Sequence, residues 1–134
     1  AHEPIRKFMD ETLENAKEVG YVETFFGRRR PTPDVNSSNF MVREMAKRAA
    51  QNMPIQGTEA DLMKRAMLAV DEKITQAGLG EQILQIHDSI LVEASPEHAE
   101  KVAEILKREM ENVAPELKIR LKVDVSIGDS WLAI

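Results

Sequence analysis

The 134-residue sequence contains no cysteine, which excludes a disulfide framework and any zinc site built on thiolates, and fits a reducing compartment. Aromatic residues make up only 4% of the chain, so methionine and aliphatic side chains must fill the interior. No apolar run approaches the roughly 20 residues that a membrane-spanning helix requires, and no signal peptide is visible. With 43% hydrophobic and 31% charged residues, the composition predicts a globular domain with a substantial core.

Acidic residues outnumber basic ones, and the net charge of −5 by itself argues against a nucleic-acid binder. The charge is unevenly distributed along the chain. Residues 28–65 hold eight Lys or Arg against four Asp or Glu, a local charge of +4 that leaves −9 elsewhere. This basic segment is either a phosphate-binding surface or a solvated helix face, and charge alone does not separate the two.

Apolar residues at helical spacing predict a first helix over residues 4–19, ended by Gly20. A short extended piece over residues 21–26 follows, ending at Gly27, and after three arginines Pro31-Thr32-Pro33-Asp34 is expected to break regular structure. A second helix is predicted to start after Asn36-Ser37-Ser38, whose side chains are good N-caps, and to reach about residue 52.

Proline is expected to separate the second helix from a third. Met53 precedes Pro54, and the residue before a proline is pushed out of the α region. Thr58 and Asp61 then resemble a capping box at the start of the third helix, which ends at Gly78. The methionines on the apolar face of that helix are expected to fill the core.

Residues 83–93 carry the most informative pattern, since two apolar runs flank a short polar turn. The pattern predicts a β-hairpin with Asp88 at its tip, and the scarcity of alternation predicts strands buried on both faces. A carboxylate on such a stiff support suits a metal ligand. Asp is also a good turn former, because its side chain bonds local backbone groups, so both interpretations of Asp88 stay open on this segment alone.

The C-terminal third adds one helix and one strand to the hairpin. Ser95-Pro96 predicts the start of a helix that runs to about Val113. Strict alternation over residues 119–127 predicts a final strand. The whole order predicts an α+β fold, in which a small antiparallel sheet of the hairpin and the C-terminal strand is backed by helices.

Four segments together resemble the C-terminal part of family A DNA polymerases, the bacterial DNA polymerase I type. They are GYVETFFGRRR at 20–30, RAAQNMPIQGT at 48–58, QIHD at 85–88 and GDSW at 128–131. Their order and spacing match the family from about Pro4 to the end of the chain. The resemblance implies part of a polymerase catalytic domain, with fingers-derived helices and the arginine loop over about 1–55 and part of the palm over about 56–134.

In that family the hairpin is motif C of the palm. The resemblance implies that Asp88 is one of two Asp residues that hold the two catalytic Mg²⁺ ions of the complete enzyme, for which hard oxygen ligands are suited. It also implies that His87 lies beside the primer terminus, as a catalytic-site and DNA-binding residue. Ser89 departs from the family, which usually has Glu there. We expect that carboxylate to be dispensable, because one Asp from each of two motifs is the minimum bridging set.

Arg48, Asn52 and Gln56 match family positions that line the DNA minor groove near the primer end. Their spacing of four places them on one helical face if the helix continues across Pro54. Such a row suits the purine N3 and pyrimidine O2 acceptors that every correct base pair presents, and a solvated polar face is the alternative. The three arginines Arg28-Arg29-Arg30 match the arginine run of the fingers. At least one of them is expected to contact phosphate, and salt bridges to the palm are the alternative.

The resemblance implies a template-directed DNA polymerase of replication or repair, acting on primer-template DNA and deoxynucleoside triphosphates in a bacterial or phage-like cytoplasm, with no membrane partner. The first catalytic Asp and the nucleotide-binding fingers helix lie upstream in the family. With no initiator Met, the N-terminus looks cut. We therefore expect the isolated chain to be inactive without the N-terminal part of the polymerase.

Two other interpretations stay open. The first is a duplex-DNA-binding module, or a split-polymerase subunit, that performs no chemistry by itself. The second is an unrelated α+β interaction domain in which Asp88 is only a turn residue. Exposed apolar surface on the sheet and the first helix is expected in a truncated chain, with self-association or a partner chain as the consequence.

Overall fold

The computed structural model describes residues 2–134, and the chain divides into two compact units after Asp61. Both units combine helices with a two-stranded antiparallel sheet, so the predicted α+β class is confirmed. The elements in chain order are α1 (Glu3–Val19), β1 (Tyr21–Glu23), β2 (Arg29–Pro31), α2 (Phe40–Val70), β3 (Glu81–Ile86), β4 (Ser89–Glu93) and α3 (Ala99–Glu111). Short 3-10 turns occupy Pro33–Asn36, Pro115–Leu117 and Trp131–Ala133, and a π-helical turn, Asp71–Thr75, follows α2.

Local chemistry explains the helix ends of the first unit. As predicted, α1 ends at Gly20, which has a φ of 82° and donates its N–H to the carbonyl of Ala16. Helix α2 begins at Phe40 because the side-chain oxygen of Asn39 accepts the N–H groups of Met41 and Val42 at 3.0 and 3.3 Å. The first-unit core lies between these helices and β1, and consists of Ala16, Val22, Val35, Ala50 and Met53.

Helix α2 runs without interruption through Pro54, so the predicted break there is wrong. Proline removes an N–H donor and disfavours a helix interior, but the flanking residues are held by tertiary contacts. Ala50 and Met53 lie in the first-unit core, and Asp61 is buried about two turns further on. Thr58 is therefore not a helix cap, and its hydroxyl instead donates to the carbonyl of Pro54. Packing outweighs the local preference here, as it does for most helices in proteins.

A buried polar cluster fixes the β1–β2 hairpin to α2 within the first unit. The Thr24 hydroxyl donates to one oxygen of the Asp61 carboxylate at 2.8 Å, and Nε of Arg28 donates to the other at 2.6 Å. Thr24 Oγ1 also accepts the N–H groups of Phe26 and Arg28 at 3.2 Å. Gly57 permits this close approach, because a Cβ at that position would lie 2.7 Å from Cγ2 of Thr24.

The second unit has a separate core formed by Val70, Ile74, Val102, Ile105 and Leu106. Helix α3 begins at Ala99, three residues later than residue 96, because residues 95–98 form a turn in which His98 N–H donates to the Ser95 carbonyl. Elsewhere in this unit Arg65 pairs with Glu116. The pKa of the Glu116 carboxyl is lowered, mainly by a backbone hydrogen bond and secondly by the hydrogen bond from Arg65. No helix within residues 2–134 is both long and apolar enough to cross a membrane.

Residues 119–127 do not form the predicted strand. Within the described residues, the second-unit sheet contains only β3 and β4. The alternation persists in side-chain burial, since Leu121, Val123 and Val125 are half-buried and the residues between them are exposed. The N–H of Val123 donates to the Glu111 carboxylate at 3.2 Å instead of to a strand carbonyl. A strand requires a ladder to a neighbour, and alternation alone does not supply one.

The predicted burial of both hairpin faces is also wrong. Ile83, Leu84 and Ile86 of β3 are 52%, 39% and 37% exposed. Ile90 and Val92 of β4 pack against the second-unit core, so the hairpin is covered on one face only within the described part of the chain. The apolar runs therefore include residues that this unit does not bury.

The buried carboxylate yields a prediction for stability. Asp61→Ala should lower the free energy of unfolding by about 1–3 kcal/mol, because the buried hydroxyl of Thr24 loses its acceptor and Arg28 loses its counter-ion. Urea unfolding followed by circular dichroism measures this change. Glu59→Ala, an exposed carboxylate on the same helix, is the matched control and should change stability by less than about 0.5 kcal/mol. Equal effects of the two variants would contradict a supporting role for Asp61.

Candidate active site and nucleic-acid interface

The hairpin places Asp88 at its tip, as predicted from the sequence. Strands β3 and β4 are joined by the two residues His87 and Asp88, and the pair of Ile86 and Ser89 closes the turn. His87 has a φ of 50°, whereas Asp88 has no positive φ. This combination of signs is that of a type II′ turn, which matches the twist of the flanking strands.

Two side chains hold this turn in place. Oγ of Ser89 donates to the carbonyl of Ile86 at 2.9 Å, and Nε2 of Gln85 donates to the carbonyl of His87 at 2.8 Å. A positive φ at a residue other than glycine costs free energy and persists only where surrounding contacts impose it. The exposed side chains of His87 and Asp88 are thus presented by a strained turn with bonded carbonyls.

The strand that leads to the turn is anchored within the second unit. Nε2 of Gln82 donates to the carbonyl of Met67 on α2 at 3.0 Å. The register between β3 and β4 shifts between Gln82 and Leu84, which leaves Ile83 as the extra residue of a bulge. A bulge of this kind changes which side chains face the core and re-aims the strand beyond it.

Asp88 fits the chemistry of a magnesium ligand but does not form a site by itself. Its carboxylate offers the hard oxygen atoms that Mg²⁺ prefers, on a short and braced support. Across residues 2–134, no group of three or more His, Asp or Glu side chains could hold a metal ion. The described chain therefore supplies one candidate ligand, and a complete coordination sphere would need further ligands.

Arg48, Asn52 and Gln56 lie in a row on α2 in the first unit. Because the helix is continuous across Pro54, the condition for a common face is met. Successive members are about 6 Å apart along the helix axis, and all three side chains are exposed. Nε of Arg48 donates to the carbonyl of Glu44 at 3.4 Å, so part of this side chain lies along the helix.

The three arginines of the first-unit hairpin have different surroundings. Arg28 pairs with buried Asp61. Nε of Arg29 lies 3.4 Å from the carboxylate of Glu23, and its guanidinium lies over the ring of Tyr21 at 4.4 Å from the centroid. Arg30 is exposed, and it forms no ion pair with another residue in the described chain. Of the three side chains, Arg30 has the charge most accessible to a ligand.

The candidate site residues thus fall into two groups. The first unit holds the row on α2 and the three arginines, and the second unit holds His87 and Asp88. Sequence reasoning missed the supporting roles of Thr24 and Asp61, because no motif or periodicity marks a contact between residues 37 positions apart. It also missed the brace from Gln85 to the turn, although this residue lies in the QIHD segment.

The structure resembles a solved polymerase domain. The match is to the POL domain of Pol1 from M. smegmatis in complex with DNA primer-template and dNTP, with a TM-score of 0.76 and 41% sequence identity. It covers 81% of this chain and 19% of that one. The described elements therefore have the fold of part of a polymerase domain.

Sequence comparison identifies the family. The model of DNA polymerase family A matches residues 1–133. The thermostable DNA polymerase I of Thermus thermophilus is 46% identical over 129 residues, which are 96% of this chain and 15% of that protein. DNA polymerase I of Deinococcus radiodurans is 46% identical over 127 residues, 95% of this chain and 13% of that protein. The chain belongs to DNA polymerase family A, as predicted, and spans about one seventh of the length of these relatives.

The backbone strain at the hairpin tip can be tested without any ligand. His87→Gly should raise the free energy of unfolding by about 0.5–1 kcal/mol, because glycine adopts a positive φ without the steric cost that histidine carries. Asp88→Gly is the matched control at the neighbouring position. It should lower stability, since no positive φ is relieved there and the unfolded chain gains freedom. Urea unfolding measures both, and a loss of stability in His87→Gly would exclude strain at this residue.

Proposed function

We propose that this chain is the palm and fingers segment of a template-directed DNA polymerase of replication or repair, and that it contributes half of the catalytic metal site. The observation that carries the proposal is Asp88 at the tip of a braced two-residue turn, in a family A chain that is 46% identical over 96% of its length to a DNA polymerase I. The Pol1 domain that resembles this structure was solved with primer-template DNA and dNTP, which supports the same ligands for this chain.

Asp88 holds magnesium together with a second carboxylate from another part of the polymerase. Bound magnesium ions supply Lewis acidity at the primer 3′-hydroxyl and offset the charge of the transferring phosphate. His87, the other residue of the turn, lies beside the primer end. Ser89 adds no charge, and its hydroxyl is already bonded to the carbonyl of Ile86, so it acts on the turn and not on a cation.

The row on α2 contacts the minor groove of the duplex near the primer end. Arg48, Asn52 and Gln56 carry donors at intervals of about 6 Å, the distance spanned by roughly two base pairs. Purine N3 and pyrimidine O2 accept hydrogen bonds at similar places in every correct base pair. The row therefore senses the geometry of a pair and not its sequence, as template-directed copying requires.

The arginine run contributes phosphate contacts. Arg30 supplies the accessible charge, whereas Arg28 and Arg29 are engaged with Asp61 and Glu23 and mainly hold the hairpin. Phosphate contacts of this kind position the nucleic acid without reading its sequence. The local charge of +4 over residues 28–65 provides the attraction that a chain with a net charge of −5 otherwise lacks.

The chain works together with the N-terminal part of its polymerase and is inactive in isolation. A lone carboxylate cannot offset the dehydration of Mg²⁺, and the described chain offers no group of three acidic or histidine ligands. The exposed apolar side chains of Ile83 and Leu84 on β3 give the remaining polymerase a surface to cover. The same surface permits self-association of the isolated chain.

A second candidate function is a duplex-DNA-binding module without chemistry. Ser89 in the place of the usual Glu favours it, because the hairpin then carries one carboxylate less. Salt-dependent duplex binding without nucleotide incorporation, even when the rest of the polymerase is supplied, would select this function.

The polymerase proposal predicts that Asp88 is required for catalysis. Primer extension is measured with the chain combined with the remaining part of its polymerase. Asp88→Ala should reduce incorporation to background, because the metal site loses a charged ligand that no neighbouring residue replaces. Asp124→Ala, another exposed carboxylate of the second unit, should retain wild-type activity. Extension by Asp88→Ala at the wild-type rate would end the metal-ligand assignment.

The minor-groove row predicts a milder loss at Gln56. Gln56→Ala should lower kcat/KM for extension by about fivefold, the cost of one hydrogen bond, with the circular dichroism spectrum unchanged. Gln76→Ala removes an exposed glutamine outside the row and should have no effect. If Gln56→Ala unfolds the chain, the residue is structural and does not contact the groove.

A further inference from the structure

The turn between β1 and β2 exposes an aromatic ring. Phe25 is 58% exposed in a chain with only 4% aromatic residues. The turn around it is well defined, because Gly27 donates its N–H to the Thr24 carbonyl at 3.0 Å and adopts a φ of 86°. Single exposed apolar side chains are common, so the ring by itself does not indicate a site. The contacts that fix Phe25 and the arginines of the same hairpin do indicate a site.

The structure fixes both the backbone and the ring of Phe25. The N–H of Phe25 donates to Oγ1 of Thr58 on α2 at 2.9 Å. The ring packs edge to face against Phe26, with centroids 5.4 Å apart and planes at 85°. The preceding residue, Thr24, is bonded to buried Asp61. A ring presented in this way loses little conformational freedom when a ligand stacks on it.

The hairpin that carries the ring is rich in positive charge. Residues 21–31 carry three arginines against one glutamate, and the guanidinium of Arg30 is exposed. Exposed aromatic rings beside cations bind single-stranded nucleic acid, because unpaired bases stack on the ring while phosphates meet the cations. A paired base inside a duplex has no free face for such stacking. The chemistry of this hairpin therefore fits an unpaired strand better than a duplex.

The place where the hairpin attaches to α2 also favours an unpaired strand, because it lies away from the row that is proposed to contact the duplex. Thr58 and Asp61, which hold the hairpin, lie about 200° and 140° around the helix axis from Gln56. The hairpin is thus attached to a different side of α2 from the row of Arg48, Asn52 and Gln56. A duplex that lies along the row therefore does not cover the Phe25 ring. The ring stays available to an unpaired strand that continues beyond the duplex.

We propose that Phe25 is a stacking platform for the unpaired bases of the template strand, with Arg30 holding a phosphate of the same strand. The inference rests on the proposed function, since it takes primer-template DNA as the ligand. It adds a contact for the single-stranded template that the residues of the row and the hairpin tip at Asp88 do not provide.

The test compares two DNAs by fluorescence anisotropy with the full chain at low salt. One is a blunt duplex, and the other is the same duplex with a 5′ extension of about six unpaired nucleotides. The wild type should bind the extended DNA about tenfold more tightly than the blunt duplex. Phe25→Leu should lose that preference and keep the blunt-duplex affinity, whereas Phe25→Trp should retain the preference. Phe8→Leu, the same change at an exposed ring on α1, should behave as the wild type.

The possible outcomes separate this inference from the proposed function. A preference for the extended DNA that survives in Phe25→Leu would overturn the stacking role, and so would a wild type that binds both DNAs equally. Both results leave the proposed function intact. A wild type that binds neither DNA would overturn the proposed function as well. Circular dichroism of each variant shows whether a lost preference reflects a lost fold.

Discussion

The first unit depends on one buried carboxylate. Asp61 accepts hydrogen bonds from Thr24 and Arg28, and so ties a three-residue hairpin strand to a helix that passes through a proline. The side chain of Asp61 is 7% exposed, and an unpaired charge at that depth would be strongly unfavourable. The hydrogen bonds from Thr24 and Arg28 offset this cost and attach the hairpin to α2. The positions of the arginine run and of the exposed phenylalanine follow from it.

The second unit is organised around a different constraint, the positive φ of His87. The carbonyls of Ile86 and His87 are bonded by Ser89 and Gln85, so side chains of both strands stabilise an otherwise costly conformation. Strain held by neighbouring contacts is common at functional sites, where it fixes the direction of a side chain. In this hairpin the strain at His87 fixes the backbone conformation next to Asp88, the proposed metal ligand.

Sequence reasoning succeeded where the controlling contacts are local. Gly20 ends α1, and the polar turn between two apolar runs places Asp88 at a hairpin tip. It was wrong where distant residues decide. Pro54 does not break α2, since Ala50, Met53 and Asp61 hold both sides of it. Residues 119–127 have the alternation of a strand without a ladder, because alternation describes burial and a ladder needs a partner.

The sequence by itself determined the family, the α+β class and the identity of the candidate site residues, because motif spacing and helix periodicity are written in neighbouring positions. Only the tertiary structure decided which arginine keeps an accessible charge, and that Thr24 and Asp61 support the hairpin. The contacts of Asp61 with Thr24 and Arg28 join residues that are more than 30 positions apart. Such meetings are set by the packing of whole elements, which no local pattern records.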